Sequence, residues 1–415
     1  MSATSLGAAS AAPAGDPAAD GMNTSRRVAL IDGIRGVAIV LVVLSHGWVV
    51  WPIERIDETA WIRPLFRSGN FAVTVFLVAA GYLAYVSLAS RGLEHARPGV
   101  TLVRRVLRVG PSLWLLLAAV LVVSTLDSTD ETTSGDNVDS VWHVLTYTWN
   151  WYVQGNLVTS RPDFGHLWYL SVDMQAFVVM AAVLYMMRRR PVGVLFVLGG
   201  LLLLLTWWRF HVTDTEFVFQ VLVRTTARMD PFVVGVMLGA ALPLVRRLDV
   251  PQWAVRWTAT ATLVALVPLA YYCSRDERFL AWGVTLLELD LALLFGATAM
   301  LVRAPRPITV MSARPLAFLG RHSLLLYIWH YPVFTFLARH TEDWGWVPRT
   351  LVALLLTVVV SLLAHRIVER RATELLRHPA WAEVQRKGLV GYLPGLVDAN
   401  VRRAFAAQHR ERPSA

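Results

Sequence analysis

Residues 30–50 read LIDGIRGVAIVLVVLSHGWVV, an apolar run long enough to cross a membrane as a single helix. Besides Asp32 near its start, the run carries two ionisable side chains, Arg35 and His46. Eleven positions separate them, about three helical turns, so both lie on one face of the helix about 16 Å apart along its axis. An ionisable group inside a membrane helix costs roughly 2.5 to 3.5 kcal/mol, so this face predicts a polar protein interior rather than contact with lipid. The alternatives without chemistry are that Arg35 only pairs with Asp32, one turn away, and that His46 is a hydrogen-bonded core residue.

The rest of the chain has the composition of this stretch. Of its 415 residues, 55% are hydrophobic and 16% are charged, and the mean hydropathy is +0.49. Such a chain lacks the polar surface of a large soluble domain, so we predict an all-α integral membrane protein, a bundle of about ten transmembrane helices around a polar cavity. The aromatic segment 142–153 is too short to span, and we expect it to lie at the interface or to re-enter the bundle. The apolar runs that predict the ten helices lie near residues 30–50, 70–89, 109–126, 165–187, 191–208, 226–245, 254–272, 279–302, 316–338 and 348–368.

The distribution of charge along the chain predicts its orientation. The formal net charge is +10, and Lys387 is the only lysine, so arginine supplies nearly all of the positive charge. Arginines are frequent in the N-terminal segment and in alternate loops, whereas the opposite loops are richer in Asp and Glu. By the positive-inside rule, this is a multi-pass protein of the inner (plasma) membrane with both termini in the cytoplasm, and its basic excess indicates no nucleic-acid partner. We expect a disordered cytoplasmic tail at residues 1–25, a transmembrane domain at 26–370 and a basic cytoplasmic tail at 371–415.

Two later stretches also place polar groups on an apolar helix. His166 and Asp173 are seven positions apart, nearly two turns, and share one stripe. Ser323, Tyr327 and His330 occupy positions i, i+4 and i+7 of another predicted helix. A polar stripe in a membrane helix should face the protein interior, although the aromatic residues beside both histidines are equally typical of the membrane interface.

Six motifs follow one another in order along the predicted helices. They are LIDGIRG at 30–36 followed by Ser45 and His46, VFL at 75–77 with Gly81 and Tyr82, RRVLR at 104–108 with Pro111, HLWYLSVD at 166–173, YIWHYP at 327–332, and VER at 368–370. Together they resemble the acyltransferase-3 family of membrane-bound O-acyltransferases, which includes O-antigen acetylases and macrolide acyltransferases. The resemblance covers most of residues 28–370.

The resemblance implies an enzyme that moves an acyl group, most simply acetyl, from cytoplasmic acyl-CoA to a hydroxyl group. The acceptor would be a cell-envelope glycan, a glycolipid or a lipid-linked molecule. The resemblance also implies that Arg35, His46, Arg105 and Arg108 matter for activity. Acetyl-CoA or another acyl-CoA is then a co-substrate, and no bound cofactor is expected.

Physical arguments extend this candidate site. Arg104, Arg105 and Arg108 provide a site for the phosphates of the acyl donor, unless they only reflect the positive-inside bias. His46 is expected either to remove the proton of the acceptor hydroxyl or to carry the acyl group briefly. Asp173 or Glu369 is expected to orient or charge-balance the catalytic site. The residues expected around the substrate are His166, Trp168, Ser323, Tyr327, Trp329, His330 and Glu369.

A transporter is the competing function class. A ten-helix bundle with buried histidine, arginine and carboxylate side chains also fits a proton-coupled carrier of a polar substrate. The sequence has no evident internal repeat, which together with the breadth of the motif match favours the enzyme. The single cysteine, Cys273, excludes a cysteine-based metal cluster, and no metal site is predicted. Membrane lipids are the expected surroundings, and the sequence does not identify a protein partner.

Overall fold

The computed structural model describes residues 17–52, 61–90, 92–378, 381, 383 and 384. This part of the chain is mainly helical and contains no strand. Its α-helices are α1 (Pro17–Val50), α2 (Arg63–Arg67), α3 (Gly69–Leu88), α4 (Pro98–Leu126), α5 (Ser134–Leu145), α6 (Trp149–Gly155), α7 (Trp168–Met186), α8 (Pro191–Thr215), α9 (Val218–Val223), α10 (Thr225–Arg228), α11 (Asp230–Val245), α12 (Gln252–Tyr272), α13 (Asp276–Arg278), α14 (Val284–Met300), α15 (Arg306–Met311), α16 (Arg314–Arg321), α17 (Ser323–His340), α18 (Trp346–Ala364) and α19 (Arg370–Arg377). Short 3-10 helices cover Leu93–His95 and Pro162–Leu167, and π-helical segments cover Phe279–Gly283 and His365–Glu369.

The predicted all-α membrane fold is confirmed, but the number of crossings is not. Each of the ten predicted apolar runs is helical over most of its length. Eight helical segments of the described chain are long and apolar enough to cross a membrane. The two runs that fall short contain α11, whose 16 residues span only about 24 Å, and α17, which carries His330, Arg339 and His340.

The first helix begins earlier than expected. Residues 17–25, which we expected to be disordered, belong to α1. Proline suits the first position of a helix because its φ is already helical and its missing N–H has no partner there, and Pro17 occupies this position. Residues 1–16 of the expected N-terminal tail, and residues 385–415 of the expected C-terminal tail, lie outside the described residues.

Three helix pairs pack backbone against backbone. α1 lies against α15 and α16, and α3 lies against α11. At each crossing a glycine meets a carbonyl oxygen of the facing helix so closely that a Cβ atom would overlap it. Such close approach gives membrane helices the van der Waals contact that holds them together in lipid. The contacts join Gly33 to Met311, Gly36 to Leu316, Gly320 to Asp32, Gly81 to Phe232 and Gly235 to Val78.

The aromatic segment 142–153 is partly buried in the bundle. It covers the end of α5, a turn and most of α6, and its Asn150 is fully buried. The Asn150 Nδ2 donates to the Val223 carbonyl at 3.1 Å and to the Thr225 hydroxyl at 2.9 Å, where α9 gives way to α10. In the turn, Tyr147 has a φ of 55°, the only left-handed non-glycine backbone among the described residues. These contacts bury part of the segment in the bundle, whereas Trp142, Leu145 and Trp151 are exposed, and its place relative to the membrane interface stays a prediction.

Candidate active site

A cavity of about 660 Å³ lies between α3, α4 and α7, next to the start of α17. Basic side chains dominate its polar lining, and α4 alone contributes three of them within about one turn. Among the described residues that line it are six arginines and two carboxylates, namely Arg35, Arg97, Arg104, Arg105, Arg108 and Arg321 with Asp173 and Glu369. This excess of guanidinium groups favours an anionic ligand, above all one with phosphates. All three predicted donor-binding residues, together with Arg35, Asp173 and Glu369, are therefore gathered in one place.

The three α4 arginines of this cavity differ in their partners. Arg105 forms an ion pair with Asp173 of α7, and its guanidinium lies 4.8 Å from the centroid of the Phe177 ring. Arg104 and Arg108 are exposed and make no hydrogen bond or ion pair with any other described residue. Arg105 is thus already neutralised by a carboxylate, whereas Arg104 and Arg108 are available to an anion.

Arg35 joins α1 to the start of α17. Its Nη2 donates to the Ser323 hydroxyl at 2.9 Å, and its Nη1 lies 3.7 Å from the Asp32 carboxylate. The guanidinium is also 6.0 Å from the centroid of the Phe76 ring. The sequence left open whether Arg35 only pairs with Asp32 or belongs to a functional site. In the structure Arg35 does both, because it lies beside Asp32 and also lines the cavity. Ser323 is buried and holds Arg35 instead of lining the cavity.

The three predicted site histidines form one cluster outside the cavity lining. Ring centroids are 4.9 Å apart for His46 and His330, 5.3 Å for His166 and His330, and 6.4 Å for His46 and His166. The Nε2 atom of His330 is 2.8 Å from the Nδ1 atom of His46. His166 and His330 are fully buried, whereas His46 is only half-buried. Within the cluster, His46 is therefore the least buried residue.

Proline in α17 explains how His166 is held. Pro332 has no N–H, so the carbonyl oxygen of Ile328, one turn earlier, lacks its helical donor. The His166 Nε2 lies 3.2 Å from that oxygen and donates to it. The Tyr327 hydroxyl donates to the His166 backbone carbonyl, which ties α17 to the 3-10 helix at a second point. The Nδ1 of His166 is left buried with no hydrogen-bond partner among the described residues.

Three aromatic residues separate the cavity from the histidine cluster, and we call Phe76, Tyr169 and Tyr327 the aromatic wall. Phe76 and Tyr169 line the cavity. The centroid of the Tyr169 ring is 6.2 Å from that of Phe76 and 5.3 Å from that of Tyr327. On the other side of the wall, the centroid of the Tyr327 ring is 5.8 Å from that of the His330 ring. The aromatic wall therefore lies between the cavity lining and the histidine cluster.

The remaining predicted site residues are divided between the cavity and its surroundings. Glu369 reaches the cavity from a π-helical segment, whose extra residue per turn shifts the side chains that follow to a new face. His365 of that segment lies 2.7 Å from the Glu369 carboxylate. The Arg228 guanidinium lies 5.9 Å from the centroid of the Trp168 ring. Trp329 is buried, and its indole N–H has no hydrogen-bond partner among the described residues. Neither tryptophan lines the cavity.

A buried ionic cluster near the end of α4 was not predicted from the sequence. Arg161 lies 2.5 Å from the Asp130 carboxylate and 2.8 Å from that of Asp163. Burial raises the pKa of Asp130, but hydrogen bonds from Thr132 and Arg161 outweigh burial and hold that pKa well below its ordinary value. The acidic loop was visible in the sequence, but its partner, about 30 positions away, was not. Because Asp163 belongs to the same 3-10 helix as His166, the cluster helps to fix that histidine.

A second buried cluster lies between α8, α11 and α14. The Arg209 Nε donates to the Asp230 carboxylate at 2.9 Å, and the Arg209 Nη2 donates to the Thr285 hydroxyl at 2.7 Å. Arg228 is fully buried beside it, 4.8 Å from the centroid of the Phe279 ring. Arg228 and Asp230 lie within the predicted apolar run 226–245, where ionisable groups need partners, but the sequence did not single out Arg209. None of these residues lines the arginine-rich cavity.

A second cavity, of about 870 Å³, lies on the opposite face of the α4 and α7 pair and has mainly apolar walls. Two of its polar groups, the hydroxyls of Thr146 and Thr148, are hydrogen-bonded to each other at 2.8 Å. Burial raises the pKa of Tyr147, which also lines it, to about 12, and the nearby Asp173 carboxylate adds to the effect. The described lining also includes one arginine, Arg224, but it forms an ion pair with Glu216. This cavity therefore lacks the free cations of the first, and the arginine-rich cavity remains the candidate anion site.

Comparison with known proteins agrees with the chemistry of these residues. Residues 28–366 match the acyltransferase-3 family, which is described as an acyltransferase domain. The chain is 22% identical to the peptidoglycan O-acetyltransferase of Listeria monocytogenes over 394 residues, which cover 89% of this chain and 58% of the relative. It is also 22% identical, over 82% of its length and 56% of the relative's, to a Staphylococcus aureus protein provisionally named an O-acetyltransferase. A Komagataeibacter xylinus protein provisionally named a membrane-bound transacylase is 28% identical over 82% of this chain and 81% of its own.

The extent of these matches differs between the relatives. The chain spans a little over half the length of the Listeria and Staphylococcus proteins. No solved structure matches it significantly. The family match, in contrast, covers α1 to α18 and includes His46, Arg35, the three α4 arginines and Asp173. The chain belongs to the acyltransferase-3 family.

Proposed function

We propose that this protein is a membrane O-acyltransferase that moves an acyl group, most simply acetyl, from acyl-CoA to a hydroxyl of a cell-envelope glycan or glycolipid. The observation that carries the proposal is the cavity of about 660 Å³ in which six arginines face two carboxylates. Coenzyme A is a strongly anionic donor with three phosphates, and guanidinium groups bind phosphate through paired, charge-assisted hydrogen bonds. The family match supports acyl transfer as the reaction.

Within the cavity, the donor phosphates would lie against Arg104 and Arg108, whose side chains have no other described partner. Arg105 and Asp173 would hold α4 and α7 together beside them, because each already neutralises the other. Arg35 lies deeper, at the aromatic wall, where it borders the path from the cavity to the histidine cluster. The thioester arm would pass this wall to reach His46.

His46 would supply the proton chemistry. A hydroxyl is a poor nucleophile until a base removes its proton, and a neutral imidazole is suited to that task. His46 is the accessible ring of its cluster and lies about 16 Å along α1 from Arg35. Donor binding and proton removal would therefore occur at different depths of the bundle.

The names of the relatives support an envelope glycan as the acceptor. One relative is named for O-acetylation of peptidoglycan and another is named a membrane-bound transacylase. The loop charges further support an inner membrane location with cytoplasmic termini, which would open the arginine-rich cavity to cytoplasmic acyl-CoA.

Reconstitution in lipid vesicles tests the proposal. Purified protein is supplied with radiolabelled acetyl-CoA and native envelope lipids and glycans, and labelled product is measured for wild type, His46→Ala and His211→Ala. His211 is exposed and far along the chain from the cluster, so it serves as the matched control. We expect label transfer by wild type and His211→Ala and at least a 100-fold loss in His46→Ala, in line with the usual contribution of a general base.

Two results would overturn the proposal. Normal transfer by a folded His46→Ala protein would remove His46 from the reaction. Absence of both coenzyme A binding and transfer in the folded wild type would remove the acyltransferase assignment and favour the proton-coupled carrier.

A further inference from the structure

The hydrogen bonds of His330 determine where its proton lies. Its Nδ1 atom is 3.0 Å from the Leu326 carbonyl oxygen and 2.8 Å from the Tyr327 carbonyl oxygen. A carbonyl oxygen can only accept, so Nδ1 must carry the hydrogen. A neutral imidazole has a single N–H, which makes the Nε2 of His330 an acceptor. His330 is fully buried, and no carboxylate is paired with it among the described residues, so the neutral form is the appropriate one.

The same reasoning extends to His46. The His330 Nε2 is 2.8 Å from the His46 Nδ1, and an acceptor at this distance requires a hydrogen on the His46 Nδ1. The Nε2 of neutral His46 is then unprotonated. Since His46 is the half-buried residue of the cluster, this nitrogen belongs to the least buried of the three imidazoles.

We propose that His330 is a positioning residue that holds His46 as its Nδ1–H tautomer, so that the unprotonated Nε2 of His46 faces the acceptor hydroxyl. This inference rests on the proposed function, because it assigns His330 a part in the same reaction. His330 itself touches no substrate: it is fully buried, and it acts only through the hydrogen bond to His46.

The proposed step balances in protons and electron pairs. The acceptor O–H gives its proton to the His46 Nε2, and the oxygen forms a bond to the thioester carbonyl carbon. The tetrahedral intermediate then collapses, the carbon–sulfur bond breaks, and the leaving sulfur takes the proton back from Nε2 to depart as a thiol. While His46 is an imidazolium, its Nδ1–H donates to the His330 Nε2, and the His330 Nδ1–H donates to the two α17 carbonyl groups. The chain of donors thereby spreads the transient positive charge towards backbone dipoles.

Nitrogen NMR of the wild type gives a direct test. Protein labelled with ¹⁵N-histidine is reconstituted in bilayers, and the His46 signals are identified as those missing from His46→Gln. We expect a protonated Nδ1 and an unprotonated Nε2 for His46, with a ¹⁵N–¹⁵N coupling across the hydrogen bond to His330. An Nε2–H tautomer of His46 in the folded wild type would overturn the proposal without reference to any variant.

Kinetics of two His330 variants separate positioning from packing. Gln places an acceptor oxygen near the original Nε2, whereas Phe keeps the volume of the ring but offers no acceptor. We expect His330→Phe to lower kcat about 10- to 100-fold with an unchanged KM for acyl-CoA, and His330→Gln to restore most of that loss. His211→Phe, at an exposed position, is the control for the substitution itself.

The outcomes distinguish the two proposals. Equal kcat in His330→Phe and wild type, or equal losses in folded His330→Gln and His330→Phe, would overturn the positioning role. If the folded wild type transfers no acyl group at all, the proposed function fails, while the ¹⁵N spectra still decide which nitrogen of His46 carries the hydrogen.

Discussion

At the scale of single residues, the cavity holds two kinds of arginine. Arg105 is committed to Asp173 in the absence of a ligand, whereas Arg104 and Arg108 have no described partner. Removing a paired arginine leaves a buried carboxylate without its counter-ion, so the substitution changes both stability and ligand binding. Removing an arginine without an ion-pair partner leaves no carboxylate unpaired, so its effect falls mainly on ligand binding. The two unpaired residues are therefore the informative ones to change.

We expect Arg104→Ala and Arg108→Ala each to weaken binding of a non-hydrolysable acetyl-CoA analogue. The loss of one charge-assisted phosphate contact should cost about 1.5 to 3 kcal/mol, with a smaller effect on turnover at saturating donor. Titration calorimetry on purified protein measures the affinity, and added salt should weaken wild-type binding. Arg256→Ala, which removes an exposed arginine outside the cavity, should bind normally. Unchanged affinity in both cavity variants would place the donor elsewhere.

At the scale of helices, the glycine contacts are the least adaptable part of the packing. A Cβ at Gly235 would overlap the Val78 carbonyl oxygen and come within 2.7 Å of the Tyr82 nitrogen. Both are backbone atoms, which cannot rotate away as a side chain can. The only relief is for α3 and α11 to separate, with loss of contact along the whole crossing.

Gly235→Ala should therefore lower the free energy of unfolding by about 1 to 3 kcal/mol or more, the usual range for overpacking. Gly199→Ala is the matched control, because nothing lies within 4 Å of its added methyl group and alanine favours a helix by up to about 1 kcal/mol. Thermal unfolding in detergent should show a lower midpoint for the first variant and an unchanged or higher one for the second. Equal midpoints would show that α3 and α11 can separate at little cost.

The same scale separates what the sequence could predict from what it could not. Helical periodicity correctly placed Arg35 and Ser323 on inward faces, and each apolar run is helical over most of its length. The sequence could not predict that Arg35 binds Ser323 or that His46 binds His330, because these partners are 288 and 284 positions apart. Their meeting depends on how α1 packs on α16 and α17, which local pattern does not encode.

A related limit applies to the predicted substrate residues. The polar stripe of Ser323, Tyr327 and His330 does face inward, but all three are buried against other protein groups. An inward-facing polar residue in a helix is satisfied either by a ligand or by a neighbouring side chain, and periodicity cannot distinguish the two. Pro332 is a more specific indicator. A proline inside a helix leaves one backbone carbonyl without its helical donor, and His166 donates a hydrogen bond to that carbonyl.

At the scale of the whole molecule, the arginine distribution predicts which side of the membrane each loop faces. Ser134, at the start of α5, should be outside, and Arg303, after α14, should be inside; both are exposed. Cysteines introduced singly at these positions and treated with an impermeant maleimide on intact cells should react only at position 134. Burial raises the pKa of Cys273 to about 12, so the native thiol stays protonated near pH 7 and should remain unlabelled. Labelling at position 303 with protection at 134 would invert the topology.

The aromatic wall also has an electrical consequence. The arginine-rich cavity lies on one side of the wall and the histidine cluster on the other. Under the proposed function, Phe76, Tyr169 and Tyr327 would therefore form the insulating layer across which the membrane voltage falls. A voltage of 100 mV is worth about 2.3 kcal/mol per elementary charge, so an open path for ions there would short-circuit the cell's proton gradient. The proposed reaction would then require a neutral acyl group to pass through a layer that remains closed to ions.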